Sequence, residues 1–181
     1  MNPKRNSTLF LLIFLIFSTS SVRSQSAEAR ILEIRKMFAE VNSLHKQTSS
    51  SNCARGTRGR ESDINPEGTR TYQKATRCSY AKGYSKVVYN QSGWEYNTSY
   101  EFYFKNGRIF FIYGVENGLC STSEYRFYYT ETGTLIKILD KTKNCDDVLV
   151  SNNDEIRSSN KKTALLSTAT EKLRLAYQIA Q

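Results

Sequence analysis

The stretch at 101–114, EFYFKNGRIFFIYG, decides how this chain folds. Asn106-Gly107 is a two-residue hairpin turn, because both residues tolerate the positive φ angles of a type I′ turn. The flanking segments are rich in aromatic residues, which suit a pleated, half-buried surface. Counting outward from the turn pairs Phe104 with Ile109, Phe102 with Phe111 and Tyr100 with Tyr113. Cross-strand partners point the same way, so these six share one side. The other side carries Glu101, Tyr103, Phe110 and Ile112. It is half polar, yet apolar enough to want cover.

The pattern continues on both sides of this hairpin. Thirteen aromatic residues fall between Trp94 and Tyr129. Strands are expected near 69–77, 84–90, 95–105, 108–115, 122–130 and 134–140. TETGT at 130–134 reads as a longer turn with Gly133 in the left-handed position. Short turns between successive strands imply an antiparallel meander. Tyr125, Phe127, Ile136 and Ile138 extend the first side, and Arg126, Tyr128, Lys137 and Leu139 the second. A leading helix follows from Ile31, Ile34, Phe38, Val41 and Leu44, which recur at steps of three and four. A closing helix at about 160–180 follows from Leu166, Ala169, Leu173, Ala176 and Ala180 in the same way. The expected fold is α+β: a meander of about six strands with both helices packed on one face. The opposite face, represented by Tyr103, Phe110, Ile112 and Tyr128, is then the candidate contact surface.

Between the first helix and the first strand the pattern collapses. Residues 46–71 are mostly Ser, Thr, Arg, Gly and Asn, and read as a long polar loop with its most mobile part at 54–60. Residues 53–86 hold eight basic side chains against Glu61, Asp63 and Glu67. Arg55, Arg58 and Arg60 are the candidate anion contacts, since a cluster of one sign attracts an anionic surface.

The first residues form a unit of their own. Lys4 and Arg5 precede nine unbroken apolar residues, Leu9 to Phe17, and then a small, polar stretch. That order is a secretory signal peptide. The apolar run is too short for a bilayer, which takes about twenty residues. Cleavage is expected after Ser24, leaving one domain, 25–181, with a net charge of +6 and no transmembrane segment. Four cysteines agree with export, because disulfides persist in oxidising compartments. Cys120 and Cys145 lie almost symmetrically about the turn at Thr132, so folding that hairpin brings them together and leaves Cys53 for Cys78. Each bridge closes a loop of about 26 residues, worth roughly 3 to 4 kcal/mol in the chain-entropy model.

No catalytic, metal or cofactor site is legible. No two cysteines have zinc-ligand spacing, and the single histidine, His45, sits at a helix end with nothing nearby to complete a triad. Asp146, Asp147, Asp154 and Glu155 lack the alternation and glycine of a calcium loop.

INPEGTRTYQKA (64–75), YSKVVYN (84–90), YEFYFKNGRIFFIYG (100–114) and EYRFYYTETGTLIKILD (124–140) resemble a group of exported bacterial proteins without assigned function. They share a leading helix, an EGG-like turn into the first strand and aromatic Asn-Gly hairpins. The resemblance covers about 28–140. It implies export and an antiparallel sheet, and transfers no catalytic residue. This chain departs from it at Thr69, at Arg108 and in its four cysteines. The expected function is an exported, periplasmic or secreted, non-enzymatic binding module. Its partner would be an envelope or extracellular protein or an anionic polymer, not intracellular nucleic acid. A self-associating structural subunit and a secreted enzyme inhibitor are the alternatives. N-terminal sequencing of the exported protein should begin at Gln25, within a few residues; intact Met1 in a membrane pellet would contradict the leader.

Overall fold

A computed structural model describes residues 26–47, 52–59, 72–93, 96–146 and 148–181. The expected leader, Arg60, Trp94 and Asp147 lie outside the described residues. Eight antiparallel strands form one sheet in chain order: β1 Cys53–Arg58, β2 Tyr72–Ser79, β3 Tyr84–Ser92, β4 Asn97–Lys105, β5 Arg108–Asn117, β6 Ser121–Tyr129, β7 Leu135–Asn144 and β8 Leu149–Glu155. Helix α1 is Ala27–Gln47 and α2 is Ser159–Ile179. The fold is therefore α+β, and the six expected strands are all present with a further strand at each edge.

β1 corrects the reading of 46–71 as one loop, because its mobile-looking core, 54–58, is a strand. CARGTR has no apolar alternation to announce it. It is held instead by regular pairing to β2 and by the bridge from Cys53 to its cross-strand partner Cys78. The second bridge is Cys120–Cys145, next to the paired Ser121 and Asn144. Both bridges match the expected connectivity, and they fit an oxidising, extracytoplasmic environment. Among the described residues, no helix is long and apolar enough to cross a membrane.

The hairpin at 101–114 turns through Asn106 (φ 50°) and Gly107 (φ 77°), as a type I′ turn requires. Phe104 pairs with Ile109 as counted, but the next pair is Tyr103 with Phe111. Phe110 is an extra residue, a β-bulge, and it reverses every later side chain. Ile112 now shares a face with Phe102, and Phe111 shares the opposite face with Tyr103. Gly114, not Tyr113, lies opposite Tyr100; a Cβ there would come within 2.7 Å of the Tyr100 ring. A second shift beside Tyr128 and Tyr129 moves Ile136 to the Tyr103 side, while Ile138 stays with Phe127.

Two apolar faces result, and each takes one helix. This corrects the placement of both helices on one face. On one side Tyr89, Tyr100, Phe102, Ile112, Phe127 and Ile138 pack with Leu165, Ala169 and Ala176 of α2 and with Ala180 at its C-cap. On the other, Tyr84, Tyr103, Phe110, Phe111 and Tyr128 pack with Ile31, Ile34 and Val41 of α1. Phe38 of α1 sits 5.1 Å from the Tyr103 ring and 5.3 Å from Phe111.

Helix α2 crosses the sheet from β7 to β1. Its first turn is tied to β7 by Lys161 Nζ to Asp140 Oδ2 at 2.8 Å, and its last turn lies over Gly56 of β1. A helix of 21 residues is about 31 Å long. Six strand spacings cover about 29 Å, so one helix of this length reaches from β7 to β1. Small residues at 169, 176 and 180 let it lie close. Gly56 marks the closest approach, since a Cβ there would fall 1.6 Å from the Ile179 carbonyl oxygen. Gly56→Ala should therefore lift the end of α2 and cost about 1–3 kcal/mol, the usual range for overpacking. Gly118→Ala, with no heavy atom nearer than 3.8 Å, should be close to neutral in the same urea unfolding experiment.

Candidate functional site

The expected contact surface is not a surface. Tyr103 is 0% exposed, Phe110 2%, Ile112 4% and Tyr128 3%. Tyr103 and Phe110 lie beneath α1, Tyr128 is buried on the same side where the sheet emerges from under the helix, and Ile112 packs on the α2 side. The cover that this face needed comes from the chain's own first helix.

That helix is fastened by polar contacts at both ends. Ser26 Oγ accepts from the Ala29 amide and caps its start. Buried Arg30 donates through Nε to the Tyr129 carbonyl and through Nη1 to Glu33 at 2.7 Å and Glu131 at 3.4 Å. Further along, Glu40 accepts from Lys82 Nζ at 2.6 Å and from the Tyr84 hydroxyl at 2.9 Å, and both bonds hold its carboxyl below the usual range. At the far end Lys86, 5% exposed, places Nζ 3.0 Å from Glu101 Oε1 and 3.2 Å from Asn42 Oδ1, over the Tyr103 ring. The Tyr103 hydroxyl donates to Glu101 and lies 3.3 Å from Asn42 Oδ1. Burial, and then the Glu101 charge, push its phenol far above the ordinary tyrosine value. Every member has a partner and the helix closes over them, so this cluster holds α1 in place.

Helix α1 contacts β3 and β5 and leaves part of this face open. Beside it lies a groove of about 580 Å³, lined by Ile34, Arg35 and Phe38 of α1, Phe111 and Tyr113 of β5, Arg126 and Tyr128 of β6, Leu139 of β7 and Asn153 of β8. That volume is in the range of small-molecule sites. The floor is aromatic and aliphatic. The rim is cationic. Arg126 lies 5.6 Å from the Tyr113 ring centre and is held by Glu124 at 2.7 Å and by Asn153 Oδ1 at 2.5 Å. Arg35 is exposed and has no carboxylate partner among the described residues. Burial, followed by the Glu124 charge, raises the Tyr113 phenol, which keeps it a protonated donor. Nothing in the lining combines a nucleophile with a base, and no metal-ligating cluster exists among the described residues.

Sequence reasoning missed Phe111 and Tyr113 as members of this face, because the count from the turn placed them on the other. The signal was available in Ile109-Phe110-Phe111-Ile112, four apolar residues in a row where a simple strand alternates. Arg55 and Arg58 are exposed on β1, not in a flexible run. Arg55 shares the α1 face with Cys53, and Arg58 lies on the α2 face, so the two do not converge. They nonetheless belong to a basic edge. Strands β1, β2 and β3 carry Arg55, Arg58, Lys74, Arg77 and Lys86 and no carboxylate.

No protein-family model, curated protein or solved structure matches the chain.

His45 is not the cation that a helix C-terminus favours. Its Nδ1 lies 2.7 Å from the Tyr80 hydroxyl, whose pKa is pushed up to about 12 by burial and the Glu101 charge. Tyr80 thus keeps its proton, and with His45 in the Nε2–H tautomer its hydroxyl donates to Nδ1. Burial, with Lys86 and Arg55 nearby, lowers the His45 pKa from 6.5. Stability from this contact should be complete above about pH 6.5 and be lost as pH falls through the lowered value, since the folded state disfavours the proton. The chain has one histidine, so its proton NMR titration is unambiguous; a midpoint at or above 6.5 would show that burial and the nearby cations do not depress it.

Proposed function

We propose that this protein is an exported, non-enzymatic binding module whose site is the groove beside α1. Its ligand is amphipathic, with an apolar body and an anionic head. The observation that carries this reading is the composition of the groove: Phe38, Phe111, Tyr128 and Leu139 form its floor, with Arg35 and Arg126 at its rim. Apolar surface of this kind supplies affinity, and a few placed polar groups supply orientation. Arg126 is committed to Glu124 and Asn153, so it acts as a positioned donor. Arg35 supplies the unmatched charge. The leader sequence, the two bridges and the resemblance to exported proteins support a site of action outside the cytoplasm.

Displacement of a fluorescent naphthalene sulfonate tests the site, with dodecanoate and dodecyltrimethylammonium as matched anionic and cationic probes. Dodecanoate should displace the dye and the cation should not. Leu139→Trp, which fills the floor, should abolish displacement with little change in melting. Arg35→Gln should weaken dodecanoate binding about three- to tenfold, the order of one partly exposed charge-assisted contact. Equal displacement by both probes, or undiminished binding in Leu139→Trp, would remove the groove from consideration.

A further inference from the structure

An open sheet has two edges, and this fold treats them differently. The pairing of β8 with β7 shifts twice in seven residues, at Val150 and at Asn153, whose φ is 60°. Bulges break the even spacing of free backbone groups and so blunt an edge against a further strand. β1 has no such interruption. It pairs with β2 in continuous register from Cys53↔Cys78 to Arg58↔Gln73, and its outer side has no strand partner among the described residues. The Cys53–Cys78 bridge locks one end of it covalently. One edge is closed to pairing while the other is regular and stapled.

Charge then selects the occupant. Arg55 and Arg58 are exposed and three residues apart, so they stand on opposite faces of the sheet. Lys74 and Arg77 reinforce them on β2, Lys74 on the Arg55 side and Arg77 on the Arg58 side. No carboxylate on β1, β2 or β3 offsets these charges. A second copy presenting its own β1 would set arginine against arginine, so the edge rejects itself. We propose that β1 is a docking edge for an extended acidic segment of a partner protein, which adds to the sheet as a ninth strand. Its main chain bonds to the outer side of β1. Two carboxylates three residues apart meet Arg55 on the α1 face and Arg58 on the α2 face and set the register. Strand addition of this kind takes affinity from backbone hydrogen bonds and specificity from alternate side chains. The proposal is independent of the groove, which lies toward the other edge.

The test uses the full oxidised protein and a labelled peptide, Thr-Val-Glu-Thr-Val-Glu-Thr-Val, followed by fluorescence anisotropy. A second peptide of the same sequence carries N-methyl groups on alternate amides, which keeps its charge but removes one edge's donors. The plain peptide should bind and the methylated one should lose at least tenfold. Arg55→Gln/Arg58→Gln should also lose at least tenfold, with a flatter salt dependence and unchanged melting, because both side chains are exposed. Lys74→Gln/Arg77→Gln, which leaves the edge itself intact, should lose less. Three results would overturn the proposal. The methylated peptide could bind equally, which makes the strip a plain cationic surface. A sulfated polysaccharide could outcompete the peptide regardless of its backbone, which makes the occupant an anionic polymer. Wild-type protein could sediment as a dimer that only the Arg55/Arg58 variant dissolves, which makes the occupant a second copy.

Discussion

Phe110 is one residue more than the β4–β5 ladder has room for, and the layout of the molecule depends on it. The bulge sends Phe110 and Phe111 to one face and Ile112 to the other. Without it, Phe111 and Tyr113 would join Phe102 and Tyr100, and Ile112 would join Tyr103 and Phe110 on the other face. With the bulge, both faces carry aromatic residues that must leave water. Full burial of each contributes on the order of 1.5–3 kcal/mol. Two helices are available, one before the sheet and one after it, and each goes to a different side.

Coverage on the two sides is unequal, for reasons of length and path. Helix α2 spans the sheet from Asp140 to Gly56, and its alanines let it sit low on the aromatic layer. Helix α1 has the same number of residues but covers less, and its polar contacts show its course. Arg30 holds the β6–β7 turn, Glu40 the start of β3, and His45 the end of β2. These points all lie at one end of the sheet, so α1 runs along that end and leaves the lower part of β5–β8 bare. The groove is the space that this path leaves, and it is apolar because the bulge placed Phe111 there. The same constraint that closes the core thus creates the site.

The edges follow a different logic from the faces. β1 and β8 bury little apolar surface, and neither would be stable as an isolated strand. β1 is retained by its ladder to β2 and by a disulfide, and β8 by an irregular ladder to β7 and a bridge in the turns beside it. Covalent closure substitutes for hydrophobic burial where the sequence is polar. That lets β1 carry two arginines and a glycine, which a strand held by packing alone would not tolerate.

The sequence by itself determined the helices, the six central strands, the Asn-Gly turn and the bridge pairing. Each depends on short-range chemistry: helical spacing at Ile31, Ile34 and Phe38, positive φ at Asn106 and Gly107, and the symmetry of Cys120 and Cys145 about one turn. It also marked Tyr103, Phe110, Ile112 and Tyr128 as residues that needed cover, without saying from what. Tertiary structure alone decided that α1 supplies most of that cover, that the helices take opposite faces, and that β1 exists. Side-chain direction in a strand has a period of two, so one extra residue at Phe110 inverts everything beyond it. That inversion leaves composition and hydrophobicity unchanged; the apolar run 109–112 signals an irregularity, and only pairing between strands places it. The groove depends on the inversion and on the path of a distant helix, and so no local pattern could contain it.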